Sequence, residues 1–145
     1  INTLIPKPHT PFQWLAMATP ESIVHKHQHL RSLVSRDKKL KLSVHNLEIS
    51  LLEAVFSRGD RKLSQVIFTA FKMGARFDAW ESFLNFDIWK KAFSENRIDM
   101  EVYLRQKNRD SLLAWDFLDM GLPKEQLLDE YDKTIALQRD SDIIK

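Results

Sequence analysis

A proline-rich loop near the start of the chain carries the side chains best suited to contacting a substrate. Pro6, Pro8 and Pro11 hold this loop extended, because proline fixes φ and biases the residue before it away from helix. The polar and aromatic candidates on the loop are His9, Thr10, Gln13 and Trp14. Trp14 ends the loop beside polar residues and off any helical stripe, so core packing is not predicted for it.

A second group of candidates lies at a predicted corner between two helices. Arg58 and Arg61 frame the corner next to a positive helix N-terminus, where two guanidinium groups could clamp a phosphate or a carboxylate. Gly59 and Asp60 are explained as the C-cap of one helix and the N-cap of the next. The alternative for the arginines is solvation or surface ion pairing.

Three histidines alternate along the first predicted helix. His25 and His29, at i and i+4, share a face and could chelate a divalent ion, whereas His27 points toward the apolar stripe. No Glu follows in the H-E-x-x-H arrangement. Surface imidazoles on an amphipathic helix are the favoured interpretation, so no metal site is predicted.

Composition excludes several kinds of chemistry. The chain has 145 residues, 43% of them hydrophobic, with 3 Gly and no Cys, so we predict mostly helix and no disulfide, thiolate metal site or cysteine nucleophile within it. Glycine-rich phosphate loops, the G-x-S-x-G elbow and convincing carboxylate pairs are missing. No apolar run is long enough to span a membrane, and the first residues lack the basic region of a signal peptide, which predicts a soluble, cytoplasmic protein without a membrane partner.

Charge divides the chain into two halves. Residues 1–76 hold 12 Lys and Arg against 5 Asp and Glu, whereas residues 77–145 hold 10 against 15. A basic half can attract RNA or an acidic partner, although two solvated faces of opposite sign are the commoner outcome. The tryptophans other than Trp14 and most of the nine phenylalanines fall on apolar stripes, which favours core packing over base stacking.

The first third of the chain has the pattern of a βαβ unit. Residues 1–5 and 40–44 alternate apolar and polar side chains as strands do. Between them, Thr19, Pro20 and Glu21 predict a helix start, and the helix runs to about Ser35. Parallel strands end at one edge, so the 7–14 loop and the pair His45 and Asn46 are expected on one face.

The rest of the chain has a helical pattern. Asn46 is predicted to cap a helix that ends at Gly59, and Asp60 to cap another that ends at Gly74. Asp78 and Glu81 predict a short helix with a capping box. Further helical segments are expected in an apolar stripe from Phe83 to Phe93 with a break near Asn85, at 99–106, and after Pro123. Two strands do not form a stable sheet alone, so together with the start at Ile1 we expect the C-terminal piece of a larger α/β protein.

Four segments in order resemble a known family. They are IPKPHTPFQW at 5–14, SRGDRKL at 57–63, GARFDAW at 74–80, and AWD at 114–116 followed by Gly121. Together they resemble the C-terminal part of cobalamin-binding-type radical S-adenosylmethionine (SAM) proteins, a bacterial subgroup with a helical region after the barrel. The resemblance implies a parent in which a three-cysteine loop holds an iron–sulfur cluster that cleaves SAM, with cobalamin as a further candidate cofactor. None of these cofactors is expected within this chain.

The predicted fold class is therefore α/β to mostly α. Residues 1–46 would be the end of a radical-SAM (β/α) barrel, and residues 47–145 a helical C-terminal region. The predicted function is a non-catalytic piece of a radical SAM enzyme that contacts the remainder of the barrel and the substrate. The alternative is a stand-alone helical module that binds RNA or an acidic protein. The candidate substrate-binding residues are His9, Thr10, Gln13, Trp14, Arg58, Asp60 and Arg61.

Overall fold

The chain forms six α-helices and one 3₁₀-helix. The computed structural model describes residues 1–143, with side chains for residues 1–137, and no β-strand is present within them. The 3₁₀-helix spans Pro11–Trp14, and the α-helices are α1 Pro20–Val34, α2 Leu47–Ser57, α3 Leu63–Lys72, α4 Phe86–Glu95, α5 Glu101–Leu104 and α6 Lys124–Ile143. Residues 144 and 145, the end of the predicted helical region, lie outside the described residues.

The predicted α/β fold class, with a βαβ piece of a barrel, is wrong. Residues 1–5 and 40–44 form neither strand nor helix. They meet at Ile1, whose amino group donates to the Ser43 carbonyl and whose carbonyl accepts from the His45 N–H at 2.9 Å. One such bridge does not make a sheet, because an isolated strand pair is marginal in water. The alternating pattern is thus present without the neighbouring strands that would turn it into a sheet.

The predicted helix starts are confirmed where a side chain caps them. The Thr19 hydroxyl accepts from Ser22 N at 3.3 Å ahead of α1, and the Asn46 carboxamide accepts from Ile49 N at 3.1 Å ahead of α2. Asn85, at the predicted break, caps α4 by accepting from Asp87 N at 3.2 Å. Each cap satisfies a backbone N–H that a helix start leaves without an intrahelical partner.

The corner between α2 and α3 depends on close packing at Gly59. A Cβ at this position would lie 2.1 Å from Leu63 Cδ1, so only glycine allows α3 to start this close to α2. Asp60 does not cap α3 as predicted. Its carboxylate accepts from Lys62 N at 2.9 Å, within the turn that precedes the helix.

Two hydrophobic clusters hold the helices together. The larger cluster joins the inner faces of α2, α3 and α4 to α5, with Met17 and Ile23 packed against them. The smaller cluster contains Trp14, Leu113, Trp115, Leu127 and Tyr131. Both clusters include residues from each side of the predicted boundary at residue 46.

Helices α3 and α4 end in the same way but with different residues. In each, the residue after the C-cap adopts a positive φ, +102° at Gly74 and +54° at Arg97. The residue after that donates back to the last turn, from Ala75 N to Ala70 O and from Ile98 N to Phe93 O, both at 3.0 Å. These are Schellman motifs, in which glycine is the preferred left-handed residue.

Arg97→Gly is expected to stabilise the fold by about 0.5–1 kcal/mol, because it removes the strain of a side chain in the left-handed region. Part of that gain is lost because glycine increases the conformational entropy of the unfolded chain. The free energy of unfolding in urea measures the change. Gly74→Ala is the matched opposite: the added Cβ meets no atom within 4 Å, so its expected cost of about 1 kcal/mol is conformational alone. A loss of stability in Arg97→Gly would contradict the prediction.

Candidate functional site

The proline loop is a folded turn rather than an extended arm. His9 adopts a φ of +54°, and its N–H donates to Gln13 Oε1 at 3.0 Å. The Thr10 hydroxyl donates to the Lys7 carbonyl at 2.7 Å. Lys7 in turn pairs with Glu53 on α2. The polar groups of Thr10 and Gln13 therefore hold the turn together.

Gln13 joins the loop to a part of the chain about a hundred residues away. Its Oε1 accepts from the indole N–H of Trp115 at 2.7 Å as well as from the His9 N–H. The Gln13 side chain is 3% exposed, and its hydrogen bond from Trp115 is buried, whereas the one from His9 is partly buried. A buried carboxamide oxygen with two donors is a structural anchor, because removing it would leave both donors unsatisfied.

Trp14 lies in the core, contrary to what its position in the loop predicted. It is fully buried, and its ring meets that of Tyr131 on α6 edge-on, with the centroids 5.7 Å apart. Its carbonyl accepts from Lys107 N at 2.9 Å. Of the four loop candidates, Gln13 and Trp14 thus face the interior, while His9 and Thr10 are half-buried.

The Arg58 corner is also built against the rest of the chain. Arg58 is 1% exposed, and its Nη2 donates to the Arg105 carbonyl at 3.0 Å. Its Nε and Nη1 have no partner among the described residues. Asp60 accepts from the Tyr103 hydroxyl at 3.3 Å, and Arg61 is exposed. The two arginines therefore differ: Arg58 is an interior group and Arg61 a surface group.

Burial and neighbouring charge shift the pKa values at this corner. Loss of hydration lowers the pKa of Arg58. Burial also lowers the pKa of Lys107, with further contributions from the positive charges of Arg58 and Arg105. Burial raises the pKa of the Tyr103 hydroxyl, and the charge of Asp60 adds to that shift. A carboxylate and three cations thus share a partly dehydrated region.

The segment 103–107 brings the two predicted groups of site residues onto one support. From the corner, Arg58 donates to the Arg105 carbonyl, and Asp60 accepts from the Tyr103 hydroxyl. The segment also pairs with the end of the loop, where Lys107 N donates to Trp14 O and Met17 N donates to Leu104 O at 2.8 Å. Both groups are therefore docked on the same stretch of backbone, and several of their polar atoms are used in docking.

The three histidines of α1 do not converge. His25 and His29 are exposed, and His27 lines a cavity beside Ile23 and Leu30. Within the described residues, no group of three or more His, Cys, Asp or Glu side chains is placed to hold a metal ion. Nor is any helix in the described part of the chain long and apolar enough to cross a membrane.

Three aromatic side chains outside the predicted set pack together on the surface between α3 and α4. The ring centroid of Phe77 lies 5.6 Å from that of Trp80 and 6.1 Å from that of Phe83, and each ring is 59–64% exposed. The capping-box helix predicted at 78–81 is wrong. The chain makes turns here instead, with Trp80 N donating to Phe77 O and Phe83 N to Trp80 O.

The outer side of α3 adds two more exposed rings, each with a cation against it. Lys72 Nζ lies 4.5 Å from the ring centroid of Phe68, and the Arg76 guanidinium lies 3.6 Å from that of Phe71. Arg76 also donates to the carbonyls of Phe71 and Ala75, at 2.7 and 2.6 Å. We call the surface formed by Phe68, Phe71, Arg76, Phe77, Trp80 and Phe83 the aromatic–cationic face.

A signal for this surface exists in the sequence. The buried positions of α3 are Leu63, Val66 and Ala70, and Ile67, Phe68 and Phe71 extend the apolar arc to roughly 200° at 100° per residue. That arc is wider than one packed face requires. The prediction that most phenylalanines pack in the core missed the outer part of this arc, where Phe68 and Phe71 are exposed.

Comparisons of the chain with protein-family models, with curated proteins and with solved structures gave no match. The resemblance to radical SAM proteins therefore stays an expectation from the sequence motifs.

Gln13→Leu is expected to lower the free energy of unfolding by about 1–3 kcal/mol, because it leaves the buried indole N–H of Trp115 unpaired, with a smaller further loss from the partly buried N–H of His9. Trp115→Phe removes one donor and is expected to cost less. Urea unfolding of both single variants and of the double variant measures the coupling between them, which should be about 0.5–3 kcal/mol. Purely additive effects would contradict a direct Gln13–Trp115 interaction.

Proposed function

We propose that this chain is the helical, non-catalytic region of a radical SAM enzyme. In this proposal it supports the parent's substrate-binding side, while the iron–sulfur cluster and SAM are held by other residues of the parent. The observation that carries the proposal is the contact network among the segments on which the resemblance rests.

Three of the four segments are separated in the chain but linked in the fold. Gln13 of the first segment binds Trp115 of the last. Asp60 of the second binds Tyr103, next to the backbone on which the first segment docks. A single structural unit requires contacts between residues that lie far apart in the sequence. The long-range contacts of these motif residues therefore support a resemblance that spans most of the chain.

The side chains of this chain do not fit an iron–sulfur cluster. Such clusters are held by cysteine thiolates, and the chain has no cysteine. The proposal therefore assigns no step of radical chemistry to residues 1–145. Its substrate also stays open, because the cofactor performs the reaction and one architecture serves many reactions.

A second candidate function is a stand-alone helical module that binds RNA or an acidic protein. The packed and exposed rings of Phe77, Trp80 and Phe83 favour it, because clustered exposed apolar side chains mark interaction sites on folded proteins. This candidate needs no parent enzyme, and it differs from the first in requiring the described surface to bind a partner by itself.

We predict that the open reading frame containing residues 1–145 also encodes a C-x-x-x-C-x-x-C loop. The polypeptide it encodes, reconstituted anaerobically with iron and sulfide, should show the visible absorbance of an iron–sulfur cluster and release 5′-deoxyadenosine from SAM after reduction. Replacing the loop cysteines with alanine should remove both signals. A reading frame without that loop would contradict the first candidate and leave the second in place.

A further inference from the structure

We propose that a cavity between α2, α4 and the turn at 77–80 binds a small, uncharged and largely apolar molecule. That molecule carries one polar group that both donates and accepts hydrogen bonds, such as a carboxamide. The cavity contains none of the residues predicted to bind substrate, and its occupancy does not depend on either candidate function. Its walls are mainly apolar, and two of the side chains that line it hold buried polar atoms without partners.

Apolar side chains form most of the wall of this cavity. Its volume is about 450 Å³, within the usual range for small-molecule sites. Helix α2 contributes Ile49, Leu52 and Phe56, and the opposite lining includes Ala79 from the turn and Trp89 from α4. The rings of Phe56 and Trp89 meet edge-on, with their centroids 5.2 Å apart. Walls of this kind favour a ligand with an apolar body.

The indole N–H of Trp89 is a buried donor without a partner. Trp89 is 7% exposed, and its Nε1 has no hydrogen-bond partner among the described residues. In contrast, Trp115 donates its indole N–H to Gln13 Oε1 at 2.7 Å. A buried N–H that stays unpaired destabilises a fold. A ligand that offers an acceptor to Trp89 would therefore gain a hydrogen bond without breaking one within the protein.

Asp78 supplies an acceptor at the same cavity. Its side chain lines the cavity, and its Oδ1 is buried and has no partner among the described residues. A carboxylate oxygen only accepts, so the ligand must donate to Asp78 and accept from Trp89. A carboxamide does both. A ligand carboxylate has no hydrogen to donate, and an ammonium group has no lone pair to accept with.

The charges at the cavity also disfavour an anionic ligand. Glu53 on α2 lines the cavity as well as Asp78, and Glu53 is paired with Lys7. His45, the remaining titratable group of the lining, is exposed. An anion would therefore meet the Asp78 carboxylate with no paired cation beside it, which like-charge repulsion opposes.

Hydrogen bonds hold the turn that carries Asp78 in place. Trp80 N donates to Phe77 O at 3.0 Å and closes the turn. The next residue, Glu81, accepts from the Asn46 carboxamide at 2.9 Å, and Asn46 is the N-cap of α2. Asp78 is therefore positioned before a ligand binds, which reduces the entropy lost on binding.

The test measures binding of naphthamide, a carboxamide on an apolar ring system, to the isotope-labelled chain by NMR. The indole N–H resonances of the four tryptophans report on binding, and Trp89→Phe and Trp115→Phe identify two of them. We expect naphthamide to shift the Trp89 resonance saturably and to leave that of Trp115 unchanged. Naphthoate and naphthylmethylammonium, which lack the donor and the acceptor respectively, should each bind about tenfold more weakly or worse.

Three variants separate this cavity from general affinity for apolar molecules. Asp78→Ala removes the unpartnered carboxylate oxygen, so it should weaken naphthamide binding about tenfold without lowering the thermal unfolding temperature. Asp129→Ala, an exposed aspartate on α6, is the matched control and should bind as the original chain does. Ala79→Trp should fill the cavity from an exposed position and abolish binding.

Three results would overturn the proposal. The first is no saturable binding of naphthamide, or binding that Asp78→Ala and Ala79→Trp leave unchanged. The second is binding of naphthoate or naphthylmethylammonium as tight as that of naphthamide, because the two unpaired atoms would then not select the ligand. The third is binding that leaves the Trp89 indole resonance in place, which would put the ligand elsewhere on the chain.

Discussion

The fold depends on one buried contact between the start of the chain and its last third. Trp14 lies in the smaller hydrophobic cluster and packs edge-on against Tyr131. The neighbouring Gln13 accepts a hydrogen bond from Trp115 of the same cluster. The contact fixes the position of the proline loop. Through the hydrogen bond between Lys107 N and Trp14 O, it also fixes the segment that supports Arg58. Burying a carboxamide is tolerated here because its oxygen has two donors.

Local signals in the sequence predicted the starts of α1 and α2 correctly. Thr19 and Asn46 are capping residues whose effect involves only the next few residues, so their spacing suffices to place a helix start. The strands predicted at 1–5 and 40–44 are wrong because a strand depends on distant residues rather than on its own sequence. Alternation describes one strand, whereas a strand exists only with neighbours, and the described residues offer a single bridge at Ile1.

In the candidate site, the burial of side chains likewise could not be predicted from the local sequence. Residue type made Trp14 look exposed and the other aromatics look internal, yet Trp14 is fully buried while Trp80 is 59% exposed. No local rule separates them, because burial of Trp14 requires Leu113, Trp115 and Tyr131 from the distant end of the chain. The width of the apolar arc on α3 was readable from the sequence alone, since it depends only on helical spacing.

Two kinds of motif residue therefore coexist in the segments that carry the family resemblance. Gln13, Trp14 and Arg58 make contacts that assemble the chain, so substitutions there act first on stability. Phe77 and Trp80, within GARFDAW, make few such contacts, and Phe77 occupies a backbone conformation that costs stability. The exposed ring of Phe77 therefore contributes little to the packing of the fold. The segments that carry the resemblance thus contain both residues that assemble the fold and residues that leave large rings exposed.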